Sequence, residues 1–135
     1  MKNLVLLLII AGFVIASCKK EDEDGLSSLL TGPVWASDSL LVNGIDASGP
    51  AGMLTNFKGD ARFYEDGSGY FGIYEGTWRF AFDYTQLVIS SDSLPFPLTT
   101  QIAELTAISL KVTTSYPNLA NPSAPLKIRM TFKAK

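Results

Sequence analysis

Very few side chains in this 135-residue chain can do chemistry. Histidine is absent, which removes the commonest general base, the commonest metal ligand and every Ser-His or Cys-His nucleophilic pair. The single cysteine, Cys18, can form no internal disulfide. Glu65 and Asp66 are adjacent, so on a strand they point to opposite faces, and Gly67 after them marks a turn where acids cap and solvate. Asp60 with Glu65 and Asp66 lacks the alternating ligands of a calcium loop. Ser37, Ser39, Ser90 and Ser91 have neither a nearby base nor nucleophile-elbow glycines. No catalytic group, metal site or cofactor is therefore expected, and the chain does not read as an enzyme.

Aromatic side chains are the other concentrated resource. Phe63, Tyr64, Tyr70, Phe71, Tyr74, Trp78, Phe80 and Phe82 fall within twenty positions. Such rings can wall a ligand cavity, with tyrosine hydroxyls and the indole N–H fixing orientation, or they can simply fill a core. Phe63, Trp78, Phe80 and Met130 are the candidate wall or core residues.

Cys18 stands where an apolar segment ends. Met1-Lys2-Asn3, the apolar run Leu4 to Ala16 and the small Ser17 have the outline of a signal peptide, residues 1–17. The run is too short for a membrane-spanning helix, which needs about 20 apolar residues. Ile15-Ala16-Ser17-Cys18 resembles the lipobox of bacterial lipoproteins, which implies that Cys18 accepts the lipid and anchors the chain to a membrane. Residues 18–28 then read as a solvated tether, because Glu21 to Asp24 repel one another into extension. That acidic cluster is similar to the one found just after the cysteine in surface-bound Bacteroidota lipoproteins. The resemblance implies an outer-membrane lipoprotein, placed periplasmically or on the cell surface.

Residues 29–135 must position whatever function remains, and they amount to one small domain. From Leu26 onward eight Lys/Arg face nine Asp/Glu, so no basic stripe exists for nucleic acid. Short strands dominate. Expected strands are Val34 to Val42, the two arms around Asp66-Gly67, "TWRFAFD", Gln86 to Ser90, Thr99 to Leu105, Ile108 to Ser115 and Leu126 to Lys133. In "TWRFAFD" Trp78, Phe80 and Phe82 are expected on one face, and Glu75-Gly76 is read as a second reversal or a bulge. Leu126, Ile128, Met130 and Phe132 alternate inward against Lys127, Arg129, Thr131 and Lys133. About eight strands in sequence-adjacent order, joined by short turns, predict an all-β fold: a single small antiparallel up-and-down β-barrel, which removes exposed sheet edges.

Leu30-Thr31-Gly32-Pro33-Val34-Trp35, "FYEDGSGYF", Gly76-Thr77-Trp78 and Ile102 to Thr106 together resemble the small lipocalin-like domains of Bacteroidota lipoproteins. The resemblance implies that Trp35 plugs the closed end of the barrel and that loop 43–52 lids the open one. Two roles follow as expectations. One is binding of a small apolar or amphipathic ligand; the other is docking of an envelope protein partner through an exposed patch at Tyr64, Phe71 or "LPFPL", Leu94 to Leu98.

Overall fold

A computed structural model describes residues 25–135. The segment read as a signal peptide, Cys18 and the acidic cluster lie outside the described residues. Residues 25–31 are helical, so positions 25–28, expected in the tether, already belong to the domain. Nine strands follow: β1 Trp35–Val42, β2 Ile45–Asp46, β3 Asp60–Phe63, β4 Ser68–Phe71, β5 Tyr74–Ala81, β6 Gln86–Ser91, β7 Leu98–Leu105, β8 Ser109–Tyr116 and β9 Leu126–Ala134. Each pairs antiparallel with its neighbour, and β1 closes onto β9. The result is a closed eight-stranded up-and-down barrel, with β2 folded back on β1 as a short hairpin.

Alternation explains the wall. In β9, Ile128, Met130 and Phe132 are buried while Lys127, Arg129 and Lys133 are exposed, as the period of two requires. Across the seam Leu40 faces Met130 and Val42 faces Ile128, and Val112 meets Met130 from β8. Bulges shift the register between Ser37 and Ser39 in β1 and between Ile102 and Glu104 in β7, and such extra residues bend a strand toward closure.

Connections sort by parity. The start of β1, the turns after β3, β5 and β7, and the end of β9 lie at one end, the base. The β1–β2 hairpin, the loop carrying a 3-10 turn at Thr55–Phe57, and the connections after β4, β6 and β8 lie at the other, the mouth. At the base Trp35 is wholly buried, and its indole N–H donates to the Leu30 carbonyl at 3.0 Å. Arg62 Nη1 donates to the Gly32 carbonyl at 3.0 Å, which holds the helix end on β3.

Three local expectations fail for identifiable reasons. Glu75-Gly76, expected to be a second reversal or a bulge, is neither, since both residues pair regularly within β5 and the reversal falls at Gly72-Ile73, after the last β4–β5 pair of Phe71 and Tyr74. Gly72 takes φ 61°, and a β-carbon there would collide with the Asn56 carbonyl oxygen, so only glycine fits. Phe82 does not join Trp78 and Phe80 on the inner face. The β5–β6 ladder ends at Ala81 and Gln86, and Tyr84 covers Phe80 at 4.8 Å, leaving Phe82 exposed. Phe82, Asp83 and Tyr84 all adopt left-handed backbone, φ 47°, 54° and 65°, a conformation costing about 1–2 kcal/mol per non-glycine residue. Finally, Phe71 belongs to no outer patch, because it points inward against Phe63 at 5.2 Å.

Candidate functional site

The four aromatic and sulfur side chains singled out above do not surround a ligand-sized space. Phe63 and Met130 are fully buried, Trp78 and Phe80 partly so. Phe63 meets Trp78 edge-on at 5.9 Å, and Trp78 meets Phe80 edge-on at 5.5 Å. The Trp78 indole N–H donates to the Tyr64 carbonyl at 2.8 Å, so its polar handle is already engaged. Between Phe63, Leu87, Val112 and Met130 about 10 Å³ stays empty, barely the space of one water. The interior is filled by its own side chains, as an eight-stranded barrel permits.

Above Met130 the packing opens. A pocket of about 160 Å³ occupies the mouth, with Met130 and Ile128 as its floor. Leu54 and Phe57 wall one side, brought there by the 3-10 turn, whose i, i+3 spacing points both rings and branches inward. Asn56 fixes that turn: its carbonyl accepts from the Ile73 N–H at 3.0 Å, and its side-chain amide donates to the Tyr74 hydroxyl at 3.3 Å. Phe57 packs on Tyr74 at 4.9 Å. Opposite, Pro95 and Pro97 keep the β6–β7 connection out of the ladder, and Phe96 stacks on Tyr116 at 5.5 Å and 26°. Met53 and Phe96 form the rim, 45% and 47% exposed.

Loop 43–52 is not a lid on this pocket. Asn43 and Gly44, φ 51° and 80°, make a tight two-residue turn into β2, and the residues that border the pocket come from Met53 onward. Leu54, Phe57 and Tyr116 are not among the expected site residues, and Leu98, expected in an exposed docking segment, is instead buried in the pocket wall. Tyr116 was legible, because the alternation that buries Leu110 and Val112 carries it to the inner face at the mouth. Leu54 and Phe57 gave only an apolar i, i+3 pair in an otherwise irregular loop.

Charge takes little part here. The displaced carboxyls are exposed and bonded locally: Ser48 holds Asp46 below its ordinary value, Ser68 does the same for Asp66, and Ser109 then Lys111 for Glu104. None lines the mouth pocket. Two wider depressions, about 670 and 560 Å³, lie on the outer wall and share Leu41 and Arg129. They are lined by the outward row of β7 to β9 and β1, open to solvent, so the mouth is the better-formed apolar site. Among the described residues no group of three or more His, Cys, Asp or Glu could hold a metal ion, and no helix is long and apolar enough to cross a membrane.

No family model matches the sequence, and no curated protein is significantly similar to it.

Proposed function

We propose that this chain is a membrane-anchored envelope lipoprotein, lipidated on Cys18, whose barrel mouth holds the apolar end of a small amphipathic molecule. The observation that supports this reading is the apolar mouth pocket of about 160 Å³ above a filled interior. Its size is that of a cavity of roughly 150 Å³ that takes benzene, and less than the 300 Å³ or more of a site that engulfs a whole ligand. One ring or a short alkyl end fits, while the polar remainder stays at the rim near Ser93 and the tyrosine hydroxyls.

A second reading has its own observation. Ile45, Met53, Ile73, Phe96 and Leu119 all stand exposed around the mouth, one in each connection at that end or on the hairpin beside it. A partner protein docking on this rim would cover them and could seat one apolar side chain in the pocket. Native mass spectrometry of the chain from residue 19 onward, incubated with single-chain amphiphiles, separates the two. The first reading expects a one-to-one adduct that Phe96→Glu removes while the barrel stays folded. Absence of any adduct, with rim-specific crosslinks to an envelope protein, would replace it by the second.

A further inference from the structure

Among the described residues, the large apolar side chains left exposed at the base are Tyr64, Phe82 and Ile108, one on each base turn. Contacts tie these turns to the point where the chain enters the barrel. Arg62 lies over the Tyr64 ring at 5.7 Å while donating to Gly32 at the helix end. The Ile108 carbonyl accepts from the Ala134 N–H at 2.9 Å, and Ala134 pairs with Trp35. Phe82 follows the strand whose Trp78 is bonded to the Tyr64 carbonyl. Phe82 is the most telling of the three. Three successive left-handed residues hold it 77% exposed, so neither backbone comfort nor burial accounts for a large aromatic at that position.

We infer that this base rests on the lipid surface, with Phe82, Ile108 and Tyr64 seated in the interfacial layer and the mouth facing away from the membrane. The inference depends on the anchoring reading of Cys18. Gly25 is seven residues beyond Cys18, a reach of about 25 Å at full extension. An eight-residue strand is itself about 26 Å long and, tilted in the barrel, spans roughly 20 Å of its height, so turning the mouth toward the membrane would use most of that reach. Resting on the base uses little of it. Charge at the base is net acidic: Arg62, Lys133 and Lys135 face Glu65, Asp66 and Asp83 together with Asp38 and Asp60, the two carboxylates that the lysines pair with. Seating is therefore apolar and does not call for anionic headgroups. Aromatic rings suit that depth because they are apolar bodies tolerant of the headgroup region.

The test uses the acylated protein in phosphatidylcholine vesicles that contain a nitroxide-labelled lipid. A fluorophore is placed on Asp83→Cys or Ala107→Cys at the base, or on Ala120→Cys at the mouth, the acylated Cys18 having no free thiol. Quenching at positions 83 and 107 should exceed that at 120 by at least about threefold, since position 120 stands a tilted strand length, roughly 20 Å, farther out. Adding Phe82→Ser and Ile108→Ser to the Asp83→Cys protein should lower its quenching toward the level at 120. Equal quenching at both ends in a protein whose intact mass carries the acyl chains overturns the base-down orientation alone. An intact mass without acyl chains overturns the anchoring reading, and the orientation with it.

Discussion

Met130 is the partition between the filled interior and the mouth, and its truncation measures whether that partition is real. The side chain is 1% exposed, stands opposite Leu40 and Val112 across two ladders, and borders both the 160 Å³ pocket and the 10 Å³ void. Met130→Ala removes a thioether from a site whose neighbours are held by strand pairing and cannot close over it. Truncations of this kind cost about 2–5 kcal/mol, more where the site relaxes less. Two ladder-fixed neighbours argue for the middle of the range, about 3 kcal/mol, and a domain of this size then loses on the order of 12 °C in Tm. Urea unfolding followed by tryptophan fluorescence gives the loss directly, provided the slope is unchanged. The same variant should take up an apolar dye more strongly, because the mouth now runs down into the barrel. A loss below about 1 kcal/mol with no gain in dye binding would refute the packed-partition account, since a side chain buried on all sides does not leave so quietly.

Two further outcomes follow from particular residues. Phe82→Gly should stabilise the fold by about 0.5–1 kcal/mol, since relief of the left-handed strain exceeds the added chain entropy of glycine and little burial is lost; a thermal melt that falls instead would show that Phe82 packs in the free protein. The serine-bonded carboxyls Asp66 and Glu104 sit below their ordinary values of 3.8 and 4.5, so their stabilisation is fully present above those values and is lost as pH falls through the folded ones. With no histidine to titrate, Tm should be level from about pH 5 to 7 and decline below about pH 4, and Ser68→Ala with Ser109→Ala should flatten that decline.

Strand order and barrel closure were legible because both faces of most strands are marked. In β9 the alternation is unbroken from Leu126 to Lys133, and β8 repeats it from Leu110 to Tyr116, so inward and outward rows follow from the period alone. The mouth was not legible in the same way. Its pocket joins Leu54 and Phe57 from a loop, Phe96 from a proline-bounded connection and Met130 from the last strand, and only the β1–β9 closure brings these within reach. The failed reversal at Glu75-Gly76 has a related origin. A turn at Gly72-Ile73 is selected by the loop laid against it, through Asn56, which no local pattern records. Extending the alternation to Phe82 runs one residue past the last ladder pair, where Tyr84 takes the place on Phe80.

A filled barrel separates the residues that hold the fold from those free to do something else. Phe63, Leu87, Val112 and Met130 leave almost no space between them, so their identities are explained by packing alone. The large apolar side chains at Ile45, Ile73, Phe82, Ile108 and Leu119 are explained by nothing inside the domain, because each stands at least 70% exposed on a turn or hairpin. Their arrangement along one axis gives them a collective meaning that single exposed residues lack. The base tips lie beside the point where the chain enters the barrel, and the mouth tips surround the pocket a barrel length away. On the proposed reading, attachment and recognition fall at opposite ends, and substitutions at either end should change one without disturbing the other or the core between them.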